Sequence, residues 1–122
     1  MRLVGQRWRY CAGNSKIDVD HAFSRTFWVQ ERLRVDDRTL LSSGARWRPF
    51  RLWTRPWLTP LPEGTVSVTL RSRMLGMACS AELNGQELTP AAIYEASWNA
   101  APHGWPPDEL WTECRSIEPI LP

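Results

Sequence analysis

The residues best suited to holding a metal ion are Asp18, Asp20 and His21. Alternate residues of a strand project from one face, so the two carboxylates would lie side by side, and carboxylate and imidazole groups bind divalent cations. A metal site normally needs further ligands, however, and the other histidine, His103, lies far along the chain among prolines. We therefore predict no metal and no cofactor, and we interpret Asp18 and Asp20 as part of a solvated strand end.

Motifs of the common enzyme classes are absent from the sequence. There is no Gly-x-Ser-x-Gly pattern of a serine nucleophile and no glycine cluster that could cradle a phosphate before a helix. Neither histidine is placed to activate a serine or a cysteine. We predict no catalytic residues.

One segment of unusual composition spans residues 46–57, where arginines are interleaved with aromatic residues. Trp and Arg are among the residue types most enriched at the energetic centres of protein interfaces. We therefore predict that this Arg/Trp segment binds another protein. The candidate partner-binding residues are Arg46, Trp47, Arg48, Phe50, Arg51, Trp53, Arg55 and Trp57.

Two other interpretations of the Arg/Trp segment stay open. Arginines beside aromatic rings also bind phosphates and stack on bases or sugars, which makes nucleic acid or glycan the alternative ligand class. A net charge of +2 is low for a dedicated nucleic-acid binder. In the remaining interpretation, the rings close one end of the core and arginine stems cover them through cation–π contacts.

Length and composition indicate one small domain. The 122 residues are close to the commonest domain size, and 43% hydrophobic residues supply a core without a metal or a disulfide. Arg, Glu or Pro interrupts every apolar stretch well short of the roughly 18 residues of a membrane span, and arginines at positions 7 and 9 disrupt any signal-like region. The three cysteines are odd in number and widely spaced. These features predict a cytoplasmic protein with no membrane partner and leave its oligomeric state open.

Alternating apolar residues predict antiparallel strands, mainly within residues 2–88. The clearest strand covers residues 65–71, with Val66, Val68 and Leu70 facing inward. Another covers residues 26–35 and is expected to be half-buried, with one apolar face and one polar face. Its apolar set is Phe27, Val29, Leu33 and Val35, and its polar set is Gln30, Arg32 and Arg34.

Two hairpins share one sequence pattern, in which an apolar residue precedes a turn and a leucine follows it. The turns are Asp36-Asp37, within residues 35–40, and Asn84-Gly85, within residues 83–88. With the strands ahead of each hairpin, this layout resembles the β-sandwich of the Fas-apoptosis-inhibitory-molecule family. The resemblance covers turn and strand positions, so it implies a fold and no function.

The last third of the chain has a different pattern. Thr89 as N-cap, Pro90 at the first helical position and the alanines that follow predict a short helix at about residues 89–98. The Pro-rich residues 99–122 are predicted to wrap the domain as irregular coil, with one helical turn at 107–111. The sequence as a whole predicts a mainly β, single-domain antiparallel β-sandwich or open barrel over residues 1–122, with one short helix and a Pro-rich C-terminal coil.

These features together predict a small binding protein without chemistry of its own. An accessory, inhibitor or immunity-type protein that acts through a protein–protein interface fits this description. A module that contacts nucleic acid or glycan through the Arg/Trp segment is the alternative, and an enzyme of unrecognised type is the third hypothesis.

Overall fold

Ten β-strands account for most of the residues that the computed structural model describes, which are 1–46, 56–73 and 76–114. In chain order they are β1 (Arg2–Ala12), β2 (Ser15–Ser24), β3 (Trp28–Val35), β4 (Arg38–Arg46), β5 (Trp57–Leu61), β6 (Gly64–Arg73), β7 (Gly76–Leu83), β8 (Gln86–Leu88), β9 (Ala92–Asn99) and β10 (Thr112–Cys114). One turn of 3-10 helix, Asp108–Leu110, lies between β9 and β10. Within the described ranges no helix is long and apolar enough to cross a membrane.

The strands form two antiparallel sheets. The first sheet has the order β10-β9-β1-β2-β3-β4, and the second has the order β5-β6-β7-β8. Consecutive strands pair as hairpins within each sheet, whereas β9 returns from the second sheet to pair with β1. This return brings residues from the last third of the chain beside the first strand.

The two sheets pack through one apolar core. The first sheet contributes Trp8, Tyr10, Ile17, Val19, Leu33 and Ile93, and the second contributes Val66, Val68, Leu70 and Ala81. Each fully buried Val, Leu or Ile side chain contributes roughly 1.5–3 kcal/mol through removal of apolar surface from water. The predicted burial of Val66, Val68 and Leu70 is confirmed, as is the predicted mainly β, antiparallel architecture.

Both predicted hairpin turns are present. Asp36 and Asp37 have φ of 50° and 68°, and Asn84 and Gly85 have φ of 51° and 86°. A two-residue turn with positive φ at both central positions matches the right-handed twist of the strands it joins, and Asn, Asp and Gly tolerate that conformation best. The turn residues in the sequence therefore determine the register of both hairpins.

The helix predicted at residues 89–98 is wrong, because this segment contains β9. Strand β9 pairs with β1 from Arg2 opposite Asn99 to Arg9 opposite Ala92. Its side chains alternate between the two faces of the first sheet. Ile93 points into the inter-sheet core, and Trp98 packs on the outer face. Burial on both faces overrides the helix propensity of the alanines, which is a weak preference of under about 1 kcal/mol per residue.

The strand predicted at residues 26–35 is present as β3, but its polar face is not solvated. Gln30 and Arg34 are buried, because the irregular residues 100–111, hereafter the cover segment, cross this face of the first sheet. Phe27 lies outside β3, with φ of 65° and an exposed ring. The predicted coil and helical turn of the Pro-rich region are present up to Leu110, after which β10 pairs with β9. Residues 115–122 of the predicted coil lie outside the described residues.

Candidate functional site

The outer face of the first sheet carries two parallel rows of charged residues across β1, β2 and β3. Arg7, Asp20 and Arg32 are register partners in one row. Arg9, Asp18 and Arg34 are partners in the other. Because side chains of a strand alternate between faces, Arg-x-Arg, Asp-x-Asp and Arg-x-Arg on three paired strands bring all six groups to one side.

In the first row, one carboxylate holds two guanidinium groups. Asp20 accepts two hydrogen bonds from Arg7, at 2.7 and 3.0 Å, and one from Arg32 Nε at 2.6 Å. Asp20 is 0% exposed and Arg7 is 2% exposed. Burial alone would lower the pKa of Arg7, but hydrogen bonding and the charge of Asp20 outweigh it and raise that pKa. Arg7 and Asp20 thus form a desolvated bidentate pair of the strong kind.

In the second row, the two guanidinium groups have different partners. Asp18, also 0% exposed, accepts hydrogen bonds from Arg9 Nε and Nη2 at 2.8 and 3.2 Å. Arg34 instead donates to Asp108 Oδ1 of the cover segment at 3.0 Å and to the carbonyl of Asp37 at 2.9 Å. The second row is therefore completed by groups outside the sheet face.

Aromatic rings cover three of the four guanidinium groups. Trp105 and Trp111 of the cover segment lie over Arg32 and Arg7, with ring centroids 4.5 and 4.6 Å from the guanidinium carbons. Tyr94 of β9 lies 4.8 Å from Arg9 in the same way. Cation–π contacts are worth up to about 2 kcal/mol when desolvated, so the rings help to bind the cover segment to the charged rows.

The cover segment is also hydrogen-bonded to the sheet. Buried Gln30 donates to the carbonyl of Gly104 at 2.8 Å and accepts from the backbone N–H of His103 at 2.8 Å. Trp98 donates through Nε1 to the same carbonyl at 3.1 Å. Residues 103–105 are therefore held at several points.

The charged rows contain more cations than buried anions. Four guanidinium groups face two buried carboxylates, and the other nearby carboxylates, Asp37 and Asp108, are 58% and 57% exposed. Arg32 Nη2 and Arg34 Nε are buried and have no acceptor among the described residues. Buried polar groups are normally hydrogen-bonded. These two nitrogen atoms are therefore donors that could donate to a further partner beside the cover segment.

Asp108 should contribute to the free energy of unfolding by an amount that depends on pH. Its hydrogen bond from Arg34, with the charges of Arg34 and Arg7, lowers the pKa of Asp108. A carboxylate whose pKa is lowered on folding stabilises the protein at pH values above about 3.9, the pKa that it has in the unfolded chain. This stabilisation is lost as the pH falls through the lower pKa of the folded state. We expect Asp108→Asn to unfold about 0.5–1 kcal/mol more easily than wild type at pH 7, since the group is exposed.

The measurement is urea unfolding of both proteins between pH 2 and pH 7. The difference should vanish at the acid end. Glu109→Gln, an exposed neighbour in the same 3-10 turn, is the control and should show no such trend. A difference for Asp108→Asn that persists unchanged at pH 2 would contradict the assignment.

The structure changes the interpretation of Asp18, Asp20 and His21. The two carboxylates do share a face as predicted, but they are buried beneath arginines, so the predicted solvated strand end is wrong. His21 faces the other side of the sheet, where its Nε2 lies 3.7 Å from Glu31 Oε2. In the described part of the chain, no three His, Cys, Asp or Glu residues are grouped as metal ligands.

The Arg/Trp segment is described at its two ends. Arg46 ends β4, is exposed and donates to the carbonyl of Thr26 at 3.3 Å. Trp57 begins β5 and packs half-buried against the inter-sheet core. The other candidate residues, Trp47, Arg48, Phe50, Arg51, Trp53 and Arg55, lie outside the described residues, so their binding role stays a prediction.

One sheet edge differs from the other three. Strands β8 and β10 have three residues each, and β5 has five, including Pro60, which has no backbone N–H. Strand β4 is nine residues long, and no described strand pairs with its outer side. Leu40 and Leu41 are exposed on it. Proteins commonly blunt edges by shortening them, by placing proline or charge there, or by a β-bulge. Strand β4 has a bulge at Leu40, because Leu41 and Thr39 pair with the consecutive residues Leu33 and Arg34, and residues 41–45 after the bulge carry neither proline nor charge.

Compared with protein-family models, curated proteins and solved structures, the chain shows no significant match. The function must therefore be inferred from the charged rows and from β4. Sequence reasoning missed both features. The charged rows could have been found from the like charges at alternate positions in residues 7–9, 18–20 and 32–34. The β4 edge could have been found from the uncharged residues 39–45 between two arginines.

Proposed function

We propose that the protein is a non-catalytic binding protein that recognises an extended segment of another protein by pairing it with β4. The observation that carries this proposal is the nine-residue β4, whose outer side is paired with no strand of the described residues and whose residues 41–45 carry neither proline nor charge. Addition of a strand to an open edge gives affinity through backbone hydrogen bonds and specificity through alternate side chains. An accessory, inhibitor or immunity-type role in the cytoplasm is compatible with such a mode.

The charges at the ends of β4 indicate the chemistry of the partner. Arg38 and Arg46 are exposed at the two ends, and Leu40 and Leu41 are exposed between them. A complementary strand has apolar residues at its centre and Asp or Glu at both ends, because opposite charges across a strand pair stabilise it. The Arg/Trp segment begins at Arg46, so the aromatic residues predicted to bind the partner continue directly from this edge in sequence.

Self-pairing fits the same edge less well. Two β4 strands that overlap fully about a two-fold axis at Ser42 would each bring the bulge at Leu40 into the pair. A bulge locally disrupts the ladder of backbone hydrogen bonds, so such a pair would be interrupted twice. An extended partner strand meets only one bulge, which favours a different protein as the partner of β4.

The test begins with affinity capture from the native host by wild type and by Arg46→Glu. The reversed charge would repel an acidic partner, so its affinity should fall at least about tenfold, the scale of a moderate interface hot spot. Hydrogen exchange of the complex should show protection of the backbone amides of residues 38–46. Leu58→Glu is the control, because Leu58 is an exposed leucine on the β5 edge and its replacement should leave binding unchanged.

Two outcomes would contradict the proposal. Protection confined to other strands, with Arg46→Glu binding like wild type, would exclude β4 as the interface. A dimer of this chain in which the backbone amides of residues 38–46 become protected would show that β4 pairs with itself.

A further inference from the structure

The charge balance of the outer face differs between its two rows. Asp18 and Asp20 are buried, and each accepts two hydrogen bonds from one arginine of the neighbouring strand β1. These two carboxylates are therefore fixed parts of the sheet face. Arg34 has no buried carboxylate partner among the described residues: it pairs with the exposed Asp108 at 3.0 Å and lies 3.8 Å from the exposed Asp37. The Oδ1 of Asp108 also lies 3.9 Å from Arg7 Nη2. The Oδ1 atom of Asp108 therefore lies close to the guanidinium groups of both Arg34 and Arg7.

The Asp108 side chain is held only by its arginine contacts among the described residues. It is more than half exposed and belongs to a three-residue 3-10 turn that has no side-chain cap and no buried residue. The anchors of the cover segment through Gln30 and Trp98 are at residues 103 and 104, outside the turn. Because the side chain is exposed, its carboxylate can rotate away while those anchors and the buried Trp111, which follows the turn, stay in place.

We propose that the guanidinium groups of Arg7, Arg32 and Arg34 form a binding site for a tetrahedral oxyanion of the phosphate type, and that Asp108 occupies this site as an internal substitute when no ligand is bound. Arginine is the side chain best suited to phosphate, because its planar fork of N–H donors matches the oxygens in pairs. This site is separate from β4 and does not depend on the partner-strand proposal.

The donor groups favour a phosphate-type ion over a second carboxylate. Arg34 Nη1 is directed at Asp108, Arg7 Nη2 is nearby, and Arg32 Nη2 and Arg34 Nε are buried with no acceptor in the described part of the chain. A carboxylate has two oxygens, whereas phosphate has four and can accept from more of these donors. Phosphate also carries about 1.5 to 2 negative charges near neutral pH, more than the single charge of a carboxylate, which suits the excess of guanidinium groups over buried carboxylates.

The proposal is tested by titrating inorganic phosphate into the protein at constant ionic strength, with chloride as the comparison anion. Side-chain Nε–H resonances of Arg7, Arg32 and Arg34 in proton–nitrogen NMR spectra should shift and saturate with phosphate. Asp108→Ala removes the internal competitor and should bind phosphate about three- to sixfold more tightly than wild type, because apparent affinity scales with the fraction of open sites and an exposed ion pair such as that of Asp108 is weak.

Matched variants separate this effect from a change in net charge. Glu109→Ala makes the same charge change one residue away and should bind phosphate like wild type. Arg34→Lys keeps the charge and removes the planar fork, and it should weaken phosphate binding in the Asp108→Ala background. Equal affinity of Asp108→Ala and Glu109→Ala, or shifts that chloride reproduces, would overturn the proposal.

Discussion

Replacement of Asp20 with asparagine should lower the free energy of unfolding by about 3–5 kcal/mol, the usual cost of removing one partner from a buried ion pair. Asp20 is fully buried and accepts hydrogen bonds from Arg7 and Arg32 at 2.6–3.0 Å. Asparagine has nearly the same shape, so the loss comes from charge and hydrogen bonding rather than from a cavity. Without that carboxylate, two guanidinium groups stay in a poorly solvated layer beneath Trp105 and Trp111.

The measurement is equilibrium unfolding in urea at neutral pH. Asp37→Asn is the matched control, because Asp37 also pairs with a cation, Lys16 at 2.8 Å, but is 58% exposed. Exposed pairs contribute about 1 kcal/mol or less, so the control should lose little stability. Similar losses in the two variants would show that the charged rows do not behave as a desolvated cluster.

Local sequence patterns were sufficient to predict the β6 part of the inter-sheet core and the two hairpin turns. The alternation of Val66, Val68 and Leu70 matches the two-residue period of a strand, and Asn84-Gly85 matches the positive φ that a two-residue turn requires. Both signals act over short stretches of the chain. They therefore remain visible without knowledge of which strands become neighbours.

The polar layer could not be predicted in the same way, because its burial depends on contacts far apart in the chain. Arg32 and Arg34 alternate with apolar residues, as in a strand with one solvated face, and nothing nearby in the sequence indicates a cover. Their partners are Asp20 on β2 and Asp108 of the cover segment. The same limit explains the wrong helix: strand β9 forms because it pairs with β1, which lies at the other end of the chain.

The β4 edge illustrates a different limit. Residues 39–45 have a composition suited to a strand at any position in a sheet, and only the strand order shows that β4 is terminal. Most of the predicted Arg/Trp site lies outside the described residues, whereas its end residues Arg46 and Trp57 adjoin a sheet edge and the core, respectively. The sequence alone therefore could not distinguish a binding surface from a core in this segment.

The cover segment should detach from the sheet when Trp98 is replaced with alanine, and the protein should lose about 3–5 kcal/mol of stability, as for other buried aromatic residues. Trp98 is 6% exposed and contacts Trp105 and Trp111, with ring centroids 5.9 and 5.7 Å away. It also donates to the carbonyl of Gly104. Gly5 leaves the space for its ring, since a Cβ there would lie 2.7 Å from a ring carbon.

Hydrogen exchange distinguishes local release of the cover segment from general destabilisation. In Trp98→Ala the amides of residues 100–111 should exchange much faster than those of β6, because the rings that hold the cover segment lose their support. Ile17→Ala is the comparison: it removes a fully buried side chain from the inter-sheet core at a similar cost of about 2–5 kcal/mol, but Ile17 belongs to the other core cluster. If both variants accelerate exchange uniformly along the chain, the cover segment is not an independent unit, and the charged rows open only when the whole protein unfolds.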